Sequence, residues 1–361
     1  MDFFLLPFLM AYGFTFKYSN FKAKAFSYFS IILIALIIGG WWFLYVKYQD
    51  ASTLEAITKK ETGNWSSYNV RPFYYYWSFF TQSGLWTIPA FISLLFPYLK
   101  NRVSNKKAYT FSFLWTILAV LLLSVIPEKK SRYLMPVLIP LAMNIGFYIE
   151  YLIRQFKELK DKRETIPVYF NFGLIASIGM AFPVLAYFFL KDDLTGYWFL
   201  YISASIVLFG IGMLIFNHLI KKNIKHVFVL TVIFYVSVLL LALPLSQALI
   251  DPNFKPITQL KAEADNQQIK IYGFNYVSPE MIWQFGTTIP AIKGDDGEIY
   301  FPKENSFGLL ANGISPEDES KLKALYTIKK MATYDLNQVA PDSRKYKGRL
   351  MSHYYILTKK E

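Results

Sequence analysis

The sequence predicts a polytopic α-helical membrane protein with about eight apolar segments and a small α/β domain at its C-terminal end. Three observations predict it. Hydrophobic residues make up 54% of the 361 residues and charged residues only 17%, against about 25% charged in soluble domains. Uncharged apolar stretches recur that are long enough to cross a hydrocarbon core of ~30 Å as helices. From Asp251 onward those stretches stop, and short strand and helix patterns alternate instead, which is the α/β signature.

The apolar segments fall at 3–16, 26–46, 79–99, 109–126, 133–153, 166–190, 195–216 and 227–250, and Glu150 is the one ionisable residue inside them. All but the first approach or exceed spanning length. Backbone groups at that depth must bond within the segment, so the segments are helices. Loops 17–25, 100–108, 154–165 and 217–226 each carry three or more Lys or Arg and alternate with loops 47–78, 127–132 and 191–194. The positive-inside rule makes the first set cytoplasmic. The second set and the tail then face outward, in a multi-pass protein of the cytoplasmic (inner) membrane. On this topology Met1 lies outside without a basic leader. Further helices ahead of it are therefore expected, unless the first segment is re-entrant.

The domain division expected is a helical membrane domain at 1–250 and a soluble, extracytoplasmic domain at 251–361. Of the net charge of +13, residues 1–250 hold 23 Lys+Arg against 11 Asp+Glu, and residues 251–361 hold 15 against 14. The surplus belongs to membrane loops, so nucleic acid is not an expected partner. In the tail, 269–274, 307–312, 326–335 and 351–360 read as strands. Residues 278–286 and 315–326 read as helices, with Ser278 and Ser315 as N-caps and Pro at the first helical position. There is no cysteine, hence no disulfide, thiol nucleophile or thiolate metal site. His218, His226 and His353 are scattered along the chain, so no histidine metal site is read from it. His353 reads as structural, and the other two fall on the cytoplasmic side.

Three loops are candidates for chemistry. Loop 127–132 holds Lys129, Lys130 and Arg132 on the face where short loops usually avoid cations. Such a trio suits phosphate oxygens, Arg as a planar fork and Lys as a point charge. Snorkelling to bulk lipid phosphate explains it equally. Pro136 and Pro140 follow and would disturb the next helix near its start. Loop 47–78 carries Glu55, Glu61 and Arg71 and then nine aromatics from Trp65 to Phe80. That density marks an interfacial belt and would also suit stacking on sugar rings. Asp192 and Asp193 are adjacent acids in a short turn, more simply explained by capping than by acid–base work.

"RPFYYYWSFFTQSGLWTIP" (71–89), "PEKKSRYLMPVLIPLA" (127–142) and "LEAITKKETG" (54–63) together resemble the aminoarabinose-transferase and protein-mannosyltransferase-like membrane glycosyltransferases of the GT-C fold. The likeness is best from Met1 to about Ile153, and in the tail it holds in outline. It implies an enzyme that takes a sugar from a polyprenyl-phosphate donor to a lipid, glycan or protein acceptor outside the cytoplasmic membrane. By position, Lys129, Lys130, Arg132 and Tyr133 would hold the donor phosphate. Arg71, Tyr74, Tyr75 and Tyr76 would line the cavity near sugar and lipid, and Glu61 would orient the acceptor or approach a divalent metal. The family's catalytic carboxylate follows its first helix. No residue here matches it, so it is expected in an N-terminal part that this sequence lacks. Some relatives carry a His before the Pro-Phe-Tyr run, where this chain reads Tyr68-Asn69-Val70-Arg71, so no metal is assigned there. The alternative function is a non-catalytic membrane protein, such as a component of a lipid-carrier transporter. A third, weaker reading makes the tail the working part as an anchored binding domain.

Overall fold

The computed structural model describes residues 2–16, 21–191, 193–294 and 296–360. The chain divides into two compact units, Met1–Ala186 with Ile202–Leu240, and Tyr187–Tyr201 with Leu241–Glu361. It is mostly helical. Among the described residues, six helices are long and apolar enough to cross a membrane: Ala25–Gln49, Lys106–Val125, Ser131–Gln155, Lys162–Leu190, Trp198–Ile220 and Ile224–Leu249. It is an integral membrane protein.

In the first unit, α1 (Asp2–Phe16) is 15 residues long, too short at 1.5 Å per residue for the full core thickness. It packs along α6 (Lys106–Val125), with the Phe8 ring edge-on to Phe111 and Trp115 at 5.3 and 5.0 Å. α2 (Phe21–Gln49) leads almost directly into α3 (Ala51–Ser67). Much of the stretch 47–78, read from sequence as a loop, is therefore helical.

The segment at 79–99 is likewise not one helix. A 3₁₀ stretch, Phe79–Trp86, kinks at Gly84 (φ 60°, ψ −119°), which is open to glycine and strained for other residues. α4 (Thr87–Ser93) follows, then a break at Leu94–Leu95, then α5 (Phe96–Leu99) with Pro97 in its first turn. Broken helices survive at membrane depth where protein surrounds them, and Pro89, Ala90, Ser93 and Leu99 are buried.

α6 and α7 (Leu138–Gln155) form the hairpin that carries the loop at 126–137. Its seam is polar as well as tight. The buried Asn144 amide donates to Thr116 Oγ1 at 2.9 Å and its carbonyl accepts from Ser112 Oγ at 2.6 Å, the kind of interhelical bond that fixes helix pairs in lipid. As the prolines suggested, α7 starts irregularly: Ser131–Val137, with Pro136 inside it, is 3₁₀. α8 (Lys162–Leu190), α9 (Trp198–Ile220) and α10 (Ile224–Ser237) complete the long helices.

The C-terminal part is a four-stranded sheet in the order β1-β2-β4-β3, made of Ile271–Gly273, Ser306–Ala311, Met351–Lys359 and Tyr326–Asp335. β1 runs parallel to β2, and the other pairs are antiparallel. Alternation along β2 sends Leu310 to one face, against Leu260, Met281 and Phe285, and Leu309 to the other, against Leu322 and Phe274. α11 (Leu260–Asn266) and α12 (Pro279–Phe285) thus cover one face and α13 (Pro316–Leu325) the other. Ser278 and Ser315 cap α12 and α13, accepting from the Met281 and Asp318 amides. The short helix α11 was not anticipated from the sequence.

Candidate functional site: two joined loops at one end of the helices

The chain leaving α3 and the chain leaving α6 meet as a short antiparallel ladder. Val70 bridges to Glu128. The Arg71 amide donates to the Pro127 carbonyl at 3.2 Å, and the Lys129 amide to the Asn69 carbonyl at 3.1 Å. Asn69 makes the turn into this ladder with φ 52°, a left-handed conformation that Asn tolerates better than most residues. Tyr76, 1% exposed, adds a second tie. Its hydroxyl accepts from the Lys130 amide at 2.9 Å and donates to the Lys130 carbonyl at 3.1 Å. Burial pushes the Tyr76 phenol up, so it stays a neutral donor. Tyr75 reaches Ser131, hydroxyl to hydroxyl, at 3.4 Å. The two sequence stretches 71–89 and 127–142 are therefore one structure.

The three cations of the loop do different things. Lys129 is buried, at 3% exposure. Its ammonium donates to the Ser124 carbonyl at 3.1 Å and also to that of Ile126, so it caps the open C-terminal end of α6. Burial pushes its pKa down. Lys130 is paired with Glu128, a carboxylate that is itself buried, and lies 5.3 Å from the Tyr68 ring and 5.8 Å from that of Tyr133. The hydrogen bond that the Lys130 ammonium donates to Glu128 holds its pKa above the ordinary value. Arg132 is exposed and lies 6.0 Å from the Tyr133 ring. Arg71 is exposed too. Among the described residues, no ion pair or hydrogen bond engages either guanidinium group.

What the geometry offers is a hydrogen-bonded collar with two Arg forks uncommitted among the described residues, one shared Lys, and the phenols of Tyr75 and Tyr133. That set suits a phosphate presented at the level of the helix ends. Tyr74 is exposed, whereas Tyr76 points inward. Glu61 lies exposed on α3, and among the described residues no hydrogen bond or ion pair ties it to the loop. Sequence reasoning passed over Glu128 and Tyr68. The signal for Glu128 was the acid inside Pro-Glu-Lys-Lys; Tyr68 carried none beyond its place in an aromatic run.

The other candidates scatter. Asp192 lies outside the described residues, and Asp193 is an exposed turn residue. His218 and His226, though apart in sequence, stack at 4.7 Å with 10° between their planes. His353 sits on β4 with its Nδ1 2.9 Å from Thr333 Oγ1. Among the described residues, no group of three or more His, Asp or Glu side chains gathers as a metal site.

No family model matches the chain, and no curated protein does. Among solved structures, the chain is similar to one described as ArnT from Cupriavidus metallidurans bound to undecaprenyl phosphate, with a TM-score of 0.57 at 13% identity. The match covers 98% of this chain and 64% of that one. At that identity the likeness is one of fold.

Proposed function

We propose that this chain acts in glycosyl transfer of the GT-C type, with the joined loops holding the phosphate of a polyprenyl-linked sugar donor at the outer face of the cytoplasmic membrane. In this reading Arg132 and Lys130 grip the phosphate, Tyr133 adds a hydrogen bond, and Arg71 approaches from the facing loop. Lys129 stiffens the collar from within by capping α6. Tyr74 and Tyr75 border the space beside it, and Tyr76 fixes the Lys130 backbone. Glu61 is the nearest assignment for a contact to the acceptor. The transfer breaks the bond between the anomeric carbon and the phosphate oxygen. The acceptor hydroxyl oxygen forms the new bond, its proton passes to the departing phosphate or to water, and the phosphate leaves with the electron pair of the broken bond. Cations fixed at the leaving group stabilise that developing charge.

The observation that carries the reading is the pair of guanidinium groups, one on each of the two joined loops, that are uncommitted among the described residues while the other charges of these loops are internally satisfied. The fold shared with a protein whose structure holds undecaprenyl phosphate supports the same chemistry. The test is direct. The purified chain in lipid nanodiscs is titrated with undecaprenyl phosphate and read by native mass spectrometry, beside the Arg132→Ala/Lys130→Ala variant. Retention by the chain and loss by the variant are expected; equal retention by both refutes the site. A sugar-transfer assay with polyprenyl-phosphate donors then tests the activity.

A further inference from the structure

The sheet domain contains a cavity of its own, and what lines it does not belong to the site above. Where α11 lies over β3 and β4 it leaves about 400 Å³, within the ~300–1,000 Å³ of ordinary small-molecule sites. Gln259, Glu263 and Gln267 recur at every fourth residue, so they share one face of the helical turn, and all three line the cavity. Lys255 closes one side, with its ammonium 5.2 Å from the Tyr334 ring. Tyr334 and Tyr354 form the floor, only 4% and 6% exposed, with ring centroids 6.4 Å apart. Gly308 makes this floor possible, since a Cβ there would stand 2.8 Å from the Tyr354 ring. β3 also has a bulge at this edge, a register shift between Lys330 and Ala332. Such irregularities re-aim side chains beside binding sites.

The two tyrosines are the unusual feature. Buried phenols nearly always find a hydrogen-bond partner. Among the described residues neither of these hydroxyls has one, and neither is among the polar atoms sealed from solvent, so both are reachable from the cavity. Burial pushes both phenols up, Tyr354 to about 12, and the Glu263 carboxylate acts in the same direction on each. Both hydroxyls therefore remain neutral and can donate to an acceptor in the cavity.

We infer that this cavity binds a sugar. Two phenols, two carboxamides, one carboxylate and one ammonium offer both donors and acceptors, as a ring of hydroxyls requires. One cation against one acid favours a ligand of low net charge over a phosphate. The domain would thus hold a free sugar or a glycan. The inference does not depend on the function proposed above.

The full chain in detergent is titrated with D-glucose, N-acetylglucosamine and glucosamine in turn, up to about 50 mM, a range that reaches weak millimolar binding, and read by saturation-transfer NMR. At least one sugar is expected to bind. Tyr334→Phe and Tyr354→Phe, which keep the rings, should each weaken it about tenfold, the worth of a lost buried hydrogen bond. Glu263→Gln, on an exposed side chain, should weaken it without touching the core. Arg132→Ala/Lys130→Ala should leave sugar binding unchanged, which separates this test from that of the phosphate site. Absence of binding by all three sugars, or binding that survives all three pocket variants, overturns the inference.

Discussion

The two ends of the α6–α7 hairpin use the same side-chain types to opposite effect. α6 is 20 residues long, so about 30 Å separates its ends. At the end where it begins, Glu164 accepts from Tyr98 at 3.0 Å, from Tyr151 at 2.8 Å and from Arg102 at 3.1 Å. Arg154 is engaged as well, by Glu150 at 3.0 Å and by the Arg102 carbonyl at 2.7 Å. At the end where α6 stops, Glu128 takes Lys130 and the helix takes Lys129, but among the described residues the guanidinium groups of Arg71 and Arg132 meet no acid. The Glu164 cluster is closed on itself, although exposed cations such as Arg163 beside it also lack an acid partner among the described residues; the cluster at the joined loops is open to an anion. Counting cations on loops does not distinguish the two clusters. Following the charges of each cluster to their partners does.

The largest effect expected from this contrast is on binding at the open end. Arg71→Ala/Arg132→Ala should weaken undecaprenyl phosphate binding roughly a hundredfold, as the loss of two charge-assisted contacts implies, with the thermal midpoint in detergent nearly unmoved, because neither guanidinium is engaged by an acid among the described residues. A matching fall in the thermal midpoint would erase the distinction between the ends. The closed end should respond the other way. Glu164→Ala strands two phenols and a guanidinium. A fully buried pair broken in this way costs about 3–5 kcal/mol. The Arg102 side chain is 37% exposed, so solvent makes good part of the loss, and about 2 kcal/mol is expected. Thermal unfolding measures it, and lipid phosphate binding by the folded fraction should be unchanged.

Much of this architecture could be read from residues alone, and what could not has physical causes. The long apolar helices, the strands of the tail and the serine caps of α12 and α13 followed from local patterns, because length, alternation and capping are local properties. The kink at Gly84 and the break before Phe96 were hidden by unbroken hydrophobicity across 79–99, which hydropathy alone cannot divide. α3 escaped because a polar helix such as 51–67 has no apolar stripe to announce it. α11 escaped because seven residues are too few to establish a period, and the pocket beneath it went with it. In the candidate site, the cations were legible as a cluster but their directions were not. Lys129 turns inward because α6 ends within reach of its ammonium, and Tyr76 is buried while Tyr74 is exposed because the ladder with 127–130 forms on one side only. Pairing between distant loops is a tertiary fact that neither loop states.

Lys129 allows a finer cut through the open end itself. If its work is to cap α6, Lys129→Met keeps the packing volume and loses the cap, costing about 1.5 kcal/mol for two carbonyls left without a donor. Binding of the lipid phosphate should change by less than about threefold. A hundredfold loss of binding at unchanged stability would instead make Lys129 a ligand contact and leave the trio undivided.

The smallest effect tests whether the collar matters to the cations it carries. Tyr76→Phe deletes one oxygen and leaves the Lys130 amide and carbonyl without their partner, worth about 1 kcal/mol. The ring stays, so the cavity does not change size. If the tie holds Lys130 in place for the phosphate, affinity should fall a few-fold, and the loss should disappear in the Lys130→Ala background, because a positioning group has nothing to position once its charge is gone. Additive losses in the double variant would mean that Tyr76 braces the fold and no more, and that the open end is organised by Arg132 alone.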